Sequence, residues 1–174
     1  MQHDENRLVF QDGQFTDDVW VDLPDDGPIP VEGPAIVTLV RLAGDDGEYF
    51  LHGGCRIGVR LRPEDRLGDL VPWMARLELI ALNFEKFTDG RPYSAARLLR
   101  ERMGYRGRLR ATGEVLVDQY AAMRRCGFDS FVVAKGRALR SWQAARIEMS
   151  VRYQAPQESV LERRHARRAV LEVA

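Results

Sequence analysis

Apolar and polar positions follow two different patterns along this chain, and the change falls near residue 57. Before it, apolar residues come in short clusters separated by Gly, Pro and Asp. Leu8–Phe10, Phe15 and Val19–Val21 surround Asp12-Gly13 and Asp17-Asp18, a pattern that predicts a hairpin. Pro24-Asp25-Asp26-Gly27-Pro28, with Pro30 and Pro34, reads as a loop. Ala35–Leu42 reads as a short apolar strand, and Asp45-Asp46-Gly47 then turns the chain into Tyr49–Leu51, so that the first third is strands and turns.

From Ile57 onward strand and helix patterns take turns. Ile57-Gly58-Val59-Arg60-Leu61 alternates like a strand, and Asp65 to Leu77 is predicted helical, with Leu67, Leu70, Val71 and Met74 on one face. Leu79–Leu82 is an unbroken apolar run, as expected of a strand covered on both faces. Pro92 to Met103 follows as a helix with Ala95, Leu98, Leu99 and Met103 as its stripe and Gly104 as its stop. Leu109–Ala111 is a short strand. Glu114 to Arg125 is a helix with Leu116, Tyr120 and Met123 at i, i+4 and i+7, ended by Gly127. Phe128–Val133 is the next strand, and Leu139 to Ala145 a further helix before Ile147–Tyr153.

Four strands alternating with three helices predict an α/β fold: a parallel βα-repeat sheet, half-barrel-like or doubly wound, preceded by an N-terminal β-hairpin segment. A chain of 174 residues is too short for a complete eight-stranded barrel. Its length suits one domain, 1–174, made of an acidic β-rich segment (1–56), a βα core (57–154) and a charged helical tail (155–174). Within the tail, Glu158 to Val173 reads as a helix whose Arg163, Arg164, Arg167 and Arg168 form a solvated face.

Composition narrows the class. No apolar run approaches the ~20 residues of a membrane span. Met1 to Arg7 is polar, so no secretory signal is expected. Cys55 and Cys126 make no disulfide framework and fit a reducing cytoplasm. His3, His52 and His165 are too scattered for a metal signature, and no Cys-x-x-Cys occurs, so no metal site is expected.

Charge changes the picture more. The net charge is zero, which argues against a nucleic-acid domain, yet the charges are segregated. Met1 to Phe50 carries twelve acidic residues against Arg7 and Arg41. Lys86 to Arg110 carries eight basic residues against Asp89 and Glu101. Either the acidic segment lies against the basic one within the fold, or the basic segment serves an anion or an acidic partner.

Parallel α/β folds bind ligands outside the carboxyl ends of their strands. That rule selects Arg62-Pro63-Glu64, Phe84 to Arg91, Thr112-Gly113 and Ala134-Lys135-Gly136. The second loop is the richest, and the turn Asp89-Gly90-Arg91-Pro92 leads straight into a helix N-terminus, where free backbone N–H groups attract anions. The expected ligand-binding set is Lys86, Asp89, Gly90, Arg91, Tyr93, Ser94, Arg97 and Arg110, with Asp89 the one candidate for catalysis. Arg91 and Arg97 suit bidentate contacts to a carboxylate, sulfate or phosphate, and Tyr93 and Ser94 add hydroxyls. The plainer reading is that Asp89-Gly90 is a turn former and Pro92 a normal first helical residue. No G-x-G-x-x-G and no G-x-x-x-x-G-K-[ST] is present, and no motif for flavin, nicotinamide, haem or iron–sulfur is found. Cys126, in the last turn of a helix, reads as a buried structural thiol.

The blocks Asn83-Phe84, Phe87 to Arg100, Gly107 to Gly113, Asp118-Gln119 and Arg125 to Asp129, taken in order, resemble a bacterial domain-of-unknown-function family (number 934). The resemblance covers Ile57 to Gln154. The family is described as a probable oxidoreductase involved in sulfite reduction, and no catalytic residues come with that description. Where the family usually has an acidic residue before the Leu-Arg-Ala stretch, this chain has Arg108. The resemblance implies an accessory protein of assimilatory sulfite reduction that binds an oxyanion or sulfite reductase itself. A homo-oligomeric interaction protein and a small enzyme acting on an anionic substrate are the alternatives.

Overall fold

Only four residues, Asp17–Trp20, join two strands that lie at opposite edges of one sheet. In this computed structural model, which describes residues 7–30, 33–44, 47–52, 55–134 and 138–148, the sheet has eight strands. They are β1 (Arg7–Gln11), β2 (Gln14–Thr16), β3 (Val21–Asp22), β4 (Ala35–Thr38), β5 (Ile57–Leu61), β6 (Leu77–Phe84), β7 (Arg108–Gly113) and β8 (Ser130–Ala134). The spatial order is β2-β1-β8-β7-β6-β5-β4-β3. Laid flat, β2 and β3 would sit roughly 34 Å apart at ~4.8 Å per strand spacing. The connection spans about half of that at ~3.5 Å per residue. The sheet is therefore curled, a half-barrel whose edges approach each other.

Strands β3 to β8 run parallel and lie side by side in chain order. Doubly wound sheets reverse their order at a switch point, and this one does not. Successive crossovers of one hand therefore place the helices on a single, convex face. The hairpin β1–β2 closes the sheet antiparallel to β8. The fold is thus the half-barrel-like form of the two that the sequence left open.

Helices α1 (Leu39–Leu42), α2 (Gly47–His52), α3 (Arg91–Glu101), α4 (Tyr120–Cys126) and α5 (Ala138–Glu148) complete the chain. The main core lies between them and the sheet, where Val59, Ile80, Leu82, Leu109 and Phe131 meet Leu70, Ala96, Leu99, Met123 and Trp142. Phe10, Tyr120, Phe131 and Trp142 form an aromatic cluster that ties the hairpin to α4 and α5.

Alternation along the same strands sends the next residues to the concave face. There Trp20 packs with Ile36, Leu79 and Ala81. Gly58 leaves room for it: a Cβ at that position would meet Trp20, Ile36 and Leu79 at 3.1–3.2 Å. The Asp17–Trp20 connection thus acts as a strap across the concave side, with Trp20 turned in and Val19 exposed.

Acidic residues of the N-terminal segment pair with strand arginines: Asp12 with Arg108, Asp18 with Arg110 and Asp22 with Arg60. For these pairs the segregated charges are neutralised within the fold.

Several predicted elements differ. Ala35–Leu42 is a strand only to Thr38, whose hydroxyl donates to the Asp25 carboxylate and accepts from the Arg41 N–H, starting α1. Tyr49–Leu51 lies in α2, not in a strand. The helix expected from Asp65 to Leu77 shrinks to a 3₁₀ turn at Leu67–Leu70, followed by turns. Pro72 explains this, since it has no N–H to donate and its ring crowds the carbonyl of Gly68. The helix expected from Glu114 begins only with a 3₁₀ turn at Val117–Gln119, because Leu116 before it is extended, with φ −105° and ψ 145°. Ile147 belongs to α5. Residues 149–153, Lys135-Gly136 and the expected tail helix lie outside the described residues.

Candidate functional site

The carboxyl ends of β5 and β6 open onto a cleft of about 600 Å³. After β5 the chain makes a tight turn in which the Asp65 carboxylate accepts from the Arg62 N–H at 2.8 Å. After β6, residues 85–90 are held by side chains from beyond β7. The Phe87 N–H donates to Glu114 at 3.1 Å, and Gln119 donates to the Phe87 carbonyl at 2.7 Å. Gly113 makes this junction possible. Its φ of +84° is left-handed, and a Cβ there would sit 2.2 Å from the Phe84 oxygen.

Between these two loops and α3 lies the cleft. Leu61, Leu67, Leu82, Pro92 and Leu98 give it apolar walls. Arg62, Asp65, Asn83, Arg91 and Ser94 supply its polar groups. The missing helix between β5 and β6 is the reason the space exists, since the 3₁₀ turn leaves the Ala95–Leu98 flank of α3 uncovered. Leu98, expected in the helix stripe, is 39% exposed here, and Ala96 takes its place in the core.

The predicted turn is present, and its charges are already matched. Arg91 forks onto Asp89, Nε to Oδ1 at 3.0 Å and Nη2 to Oδ2 at 2.7 Å. Asp89 Oδ1 also accepts from the Arg91 backbone N–H at 2.9 Å. Those two hydrogen bonds, the side-chain one first, hold the Asp89 carboxyl below its ordinary range. Asp89 itself is thus the anion at the head of α3, and Pro92 contributes no N–H. Both Asp89 oxygens accept hydrogen bonds from Arg91.

The rest of the expected set is dispersed. Gly90, Arg91 and Ser94 line the cleft. Lys86 is exposed on the β6–α3 loop. Tyr93 packs against Phe84 and Phe128 at ring distances of 5.3 and 6.4 Å, and burial pushes its hydroxyl pKa up. Arg97 lies beside Cys126, whose thiol is pushed up by burial. Arg110 is on the opposite face of the sheet. It is 2% exposed and donates to both oxygens of Asp18 and to the Ser130 hydroxyl. Burial lowers the pKa of its guanidinium, and Asp18 offsets that. Strand alternation carries this information, since Leu109 and Ala111 face the helices and Arg110 must face away. Arg62, Asp65 and Asn83 were not in the expected set. The carboxyl-end rule pointed to the loop of Arg62, Asp65 was read as the start of a helix, and Asn83 follows the apolar run of β6.

The opposite end of the sheet holds a second polar cluster. Arg100 donates to the carbonyls of Tyr105, Gly107 and Gly127 and to the Asp129 carboxylate, at 2.7–3.1 Å, and its guanidinium lies over the Tyr105 ring. Asp129 also accepts from the Leu109 N–H. These bonds lock the entries of β7 and β8 to the end of α3. Ends away from the carboxyl face serve stability in βα folds.

Among the described residues no group of three or more His, Cys, Asp or Glu is placed to hold a metal ion. No described helix is long and apolar enough to cross a membrane.

The fold and cleft define a curled βα half-barrel with a single-ended, carboxyl-face site. A profile of a bacterial protein family of unknown function, DUF934, matches residues 58–161, and the chain belongs to that family. The match includes the cleft, the Gly113 junction and the Arg100–Asp129 cluster. No curated protein matches the chain.

Proposed function

We propose that the protein is a cytoplasmic accessory factor associated with sulfite reduction, and that it receives a small anion in the cleft beside α3. The observation that carries the reading is the convergence of Arg62, Asn83, Arg91 and Ser94 on one cleft at the carboxyl ends of β5 and β6, where βα folds place ligands, with the one carboxylate of the lining, Asp65, bonded to the Arg62 N–H. Arg91 uses Nε and Nη2 on Asp89, which leaves Nη1 outside the fork. Arg62 is exposed, its guanidinium no nearer to Glu64 than 3.8 Å. The link to sulfite reduction comes from the resemblance of the motif blocks, and the two free cysteines suit a reducing compartment.

Calorimetry with sulfite and sulfate, together with a pull-down using sulfite reductase, tests it. Anion binding that weakens in Arg62→Gln and Arg91→Gln is the expected result. Silence in both assays overturns it. A partner-binding surface is a second reading, favoured by Phe87 and Leu116, which are exposed on the loops after β6 and β7. Light scattering that shows a clean monomer, with no capture of the reductase, would remove that one.

A further inference from the structure

We infer that the cleft takes an organic anion, a carboxylate or sulfonate carrying an apolar body, rather than a bare inorganic oxyanion. This rests on the reading of the cleft as an anion site. Volume is the first argument. The cleft holds about 600 Å³, within the range of sites that enclose whole small molecules. A sulfite-sized ion displaces on the order of two or three waters of ~30 Å³ each. The remaining water would stand against Leu61, Leu67, Leu82, Pro92 and Leu98, apolar surface whose covering is favourable.

The second argument is layout. Arg91 and Ser94 sit in the first turn of α3, whereas Ala95 and Leu98 continue the same wall further along the helix. From Arg91 to Leu98 the helix advances roughly 10 Å at ~1.5 Å per residue. The site thus has a charged head region and an apolar trough of several carbon atoms' length. The helix N-terminus adds little by itself, because Asp89 already takes the Arg91 N–H. A head group must therefore be met by the arginine side chains at the rim, which leaves the apolar walls to supply the remaining affinity.

Calorimetry on the full chain with methane-, butane- and hexane-1-sulfonate, sodium sulfate, sodium sulfite and hexan-1-ol tests this. Affinity should rise about three- to fourfold per methylene until the trough is filled. Leu98→Gln, at a position already 39% exposed, should flatten that gradient. Arg62→Gln should weaken all charged members alike. Sulfate or sulfite binding as tightly as hexanesulfonate overturns the organic body and leaves the anion site standing. Hexanol matching hexanesulfonate overturns the charged head. Binding by no member overturns both.

Discussion

Arg110 and Asp18, ninety-two residues apart in the chain, meet with both carboxylate oxygens on one guanidinium nitrogen, at 2.8 and 2.9 Å. The arginine is enclosed on the concave face, and the aspartate reaches it from the strap that joins the two edges of the sheet.

Removing one partner of such a pair leaves a buried charge uncompensated. Asp18→Asn is expected to destabilise the protein by about 3–5 kcal/mol in urea unfolding. Arg110→Met combined with Asp18→Asn should recover much of that loss. A double variant as unstable as the sum of the two single ones would contradict the pairing as the cause.

Trp20 gives the strap its apolar anchor. Trp20→Ala should cost about 3 kcal/mol, because the space above Gly58 is left unfilled. Benefit from Gly58→Ala in that background, where the added methyl enters the vacated space, is the second expected result. The same thermal unfolding experiment reads both.

Two glycines near the cleft make a contrast. At Gly113 a left-handed φ and the Phe84 oxygen both oppose a side chain, so Gly113→Ala should cost at least ~2 kcal/mol. At Gly90 nothing lies within 4 Å of a Cβ and φ is −83°, so Gly90→Ala should be neutral or stabilise by up to about 1 kcal/mol. Chemical denaturation of the two variants side by side checks the pair.

Two aspartates should respond to pH in opposite directions. Asp89 has a lowered folded value, so its contribution to stability is complete above its ordinary value of 3.8 and is lost as pH falls through the lowered one. Asp129 is raised by burial, against the pull of Arg100. Its contribution is therefore largest at low pH and shrinks as pH rises through the raised value. Carboxyl-carbon NMR titration should place the Asp89 midpoint below that of a model peptide and the Asp129 midpoint above it. Arg91→Gln should move the Asp89 midpoint up towards the ordinary range, with the backbone hydrogen bond from residue 91 still holding part of the shift.

Much of this fold is legible in the order of residues. From Ile57 to Val133 the strand and helix patterns are local, and α3 and β6 form close to where periodicity puts them. What sequence reading missed depends on distant partners. Leu39–Leu42 is as apolar as a strand, and it turns helical because Thr38 caps it. The strand Val21–Asp22 is two residues long and exists only because β4 is beside it. Pairing of β1 with β8 joins residues 7–11 to 130–134, a match that no nearby pattern encodes. At the site, the turn Asp89-Gly90-Arg91-Pro92 was readable as an address. That Asp89 bonds its own turn belongs to the plainer reading of that turn, whereas the fork of Arg91 onto Asp89 itself depends on side-chain geometry. Pro72 was visible, but its effect on the neighbouring cleft needed the packing of α3.

The pairing of β1 with β8 also governs when the molecule can finish forming. Strand β1 needs a partner strand made more than a hundred residues later, and loop closure over that distance is slow. Until β8 emerges, the hairpin has no neighbour in the sheet beyond its own two strands. The parallel strands β3 to β7 have their neighbours in chain order and can pair before β1 has its own. The hairpin β1–β2 is thus a latch that can close only once the last parallel strand is in place.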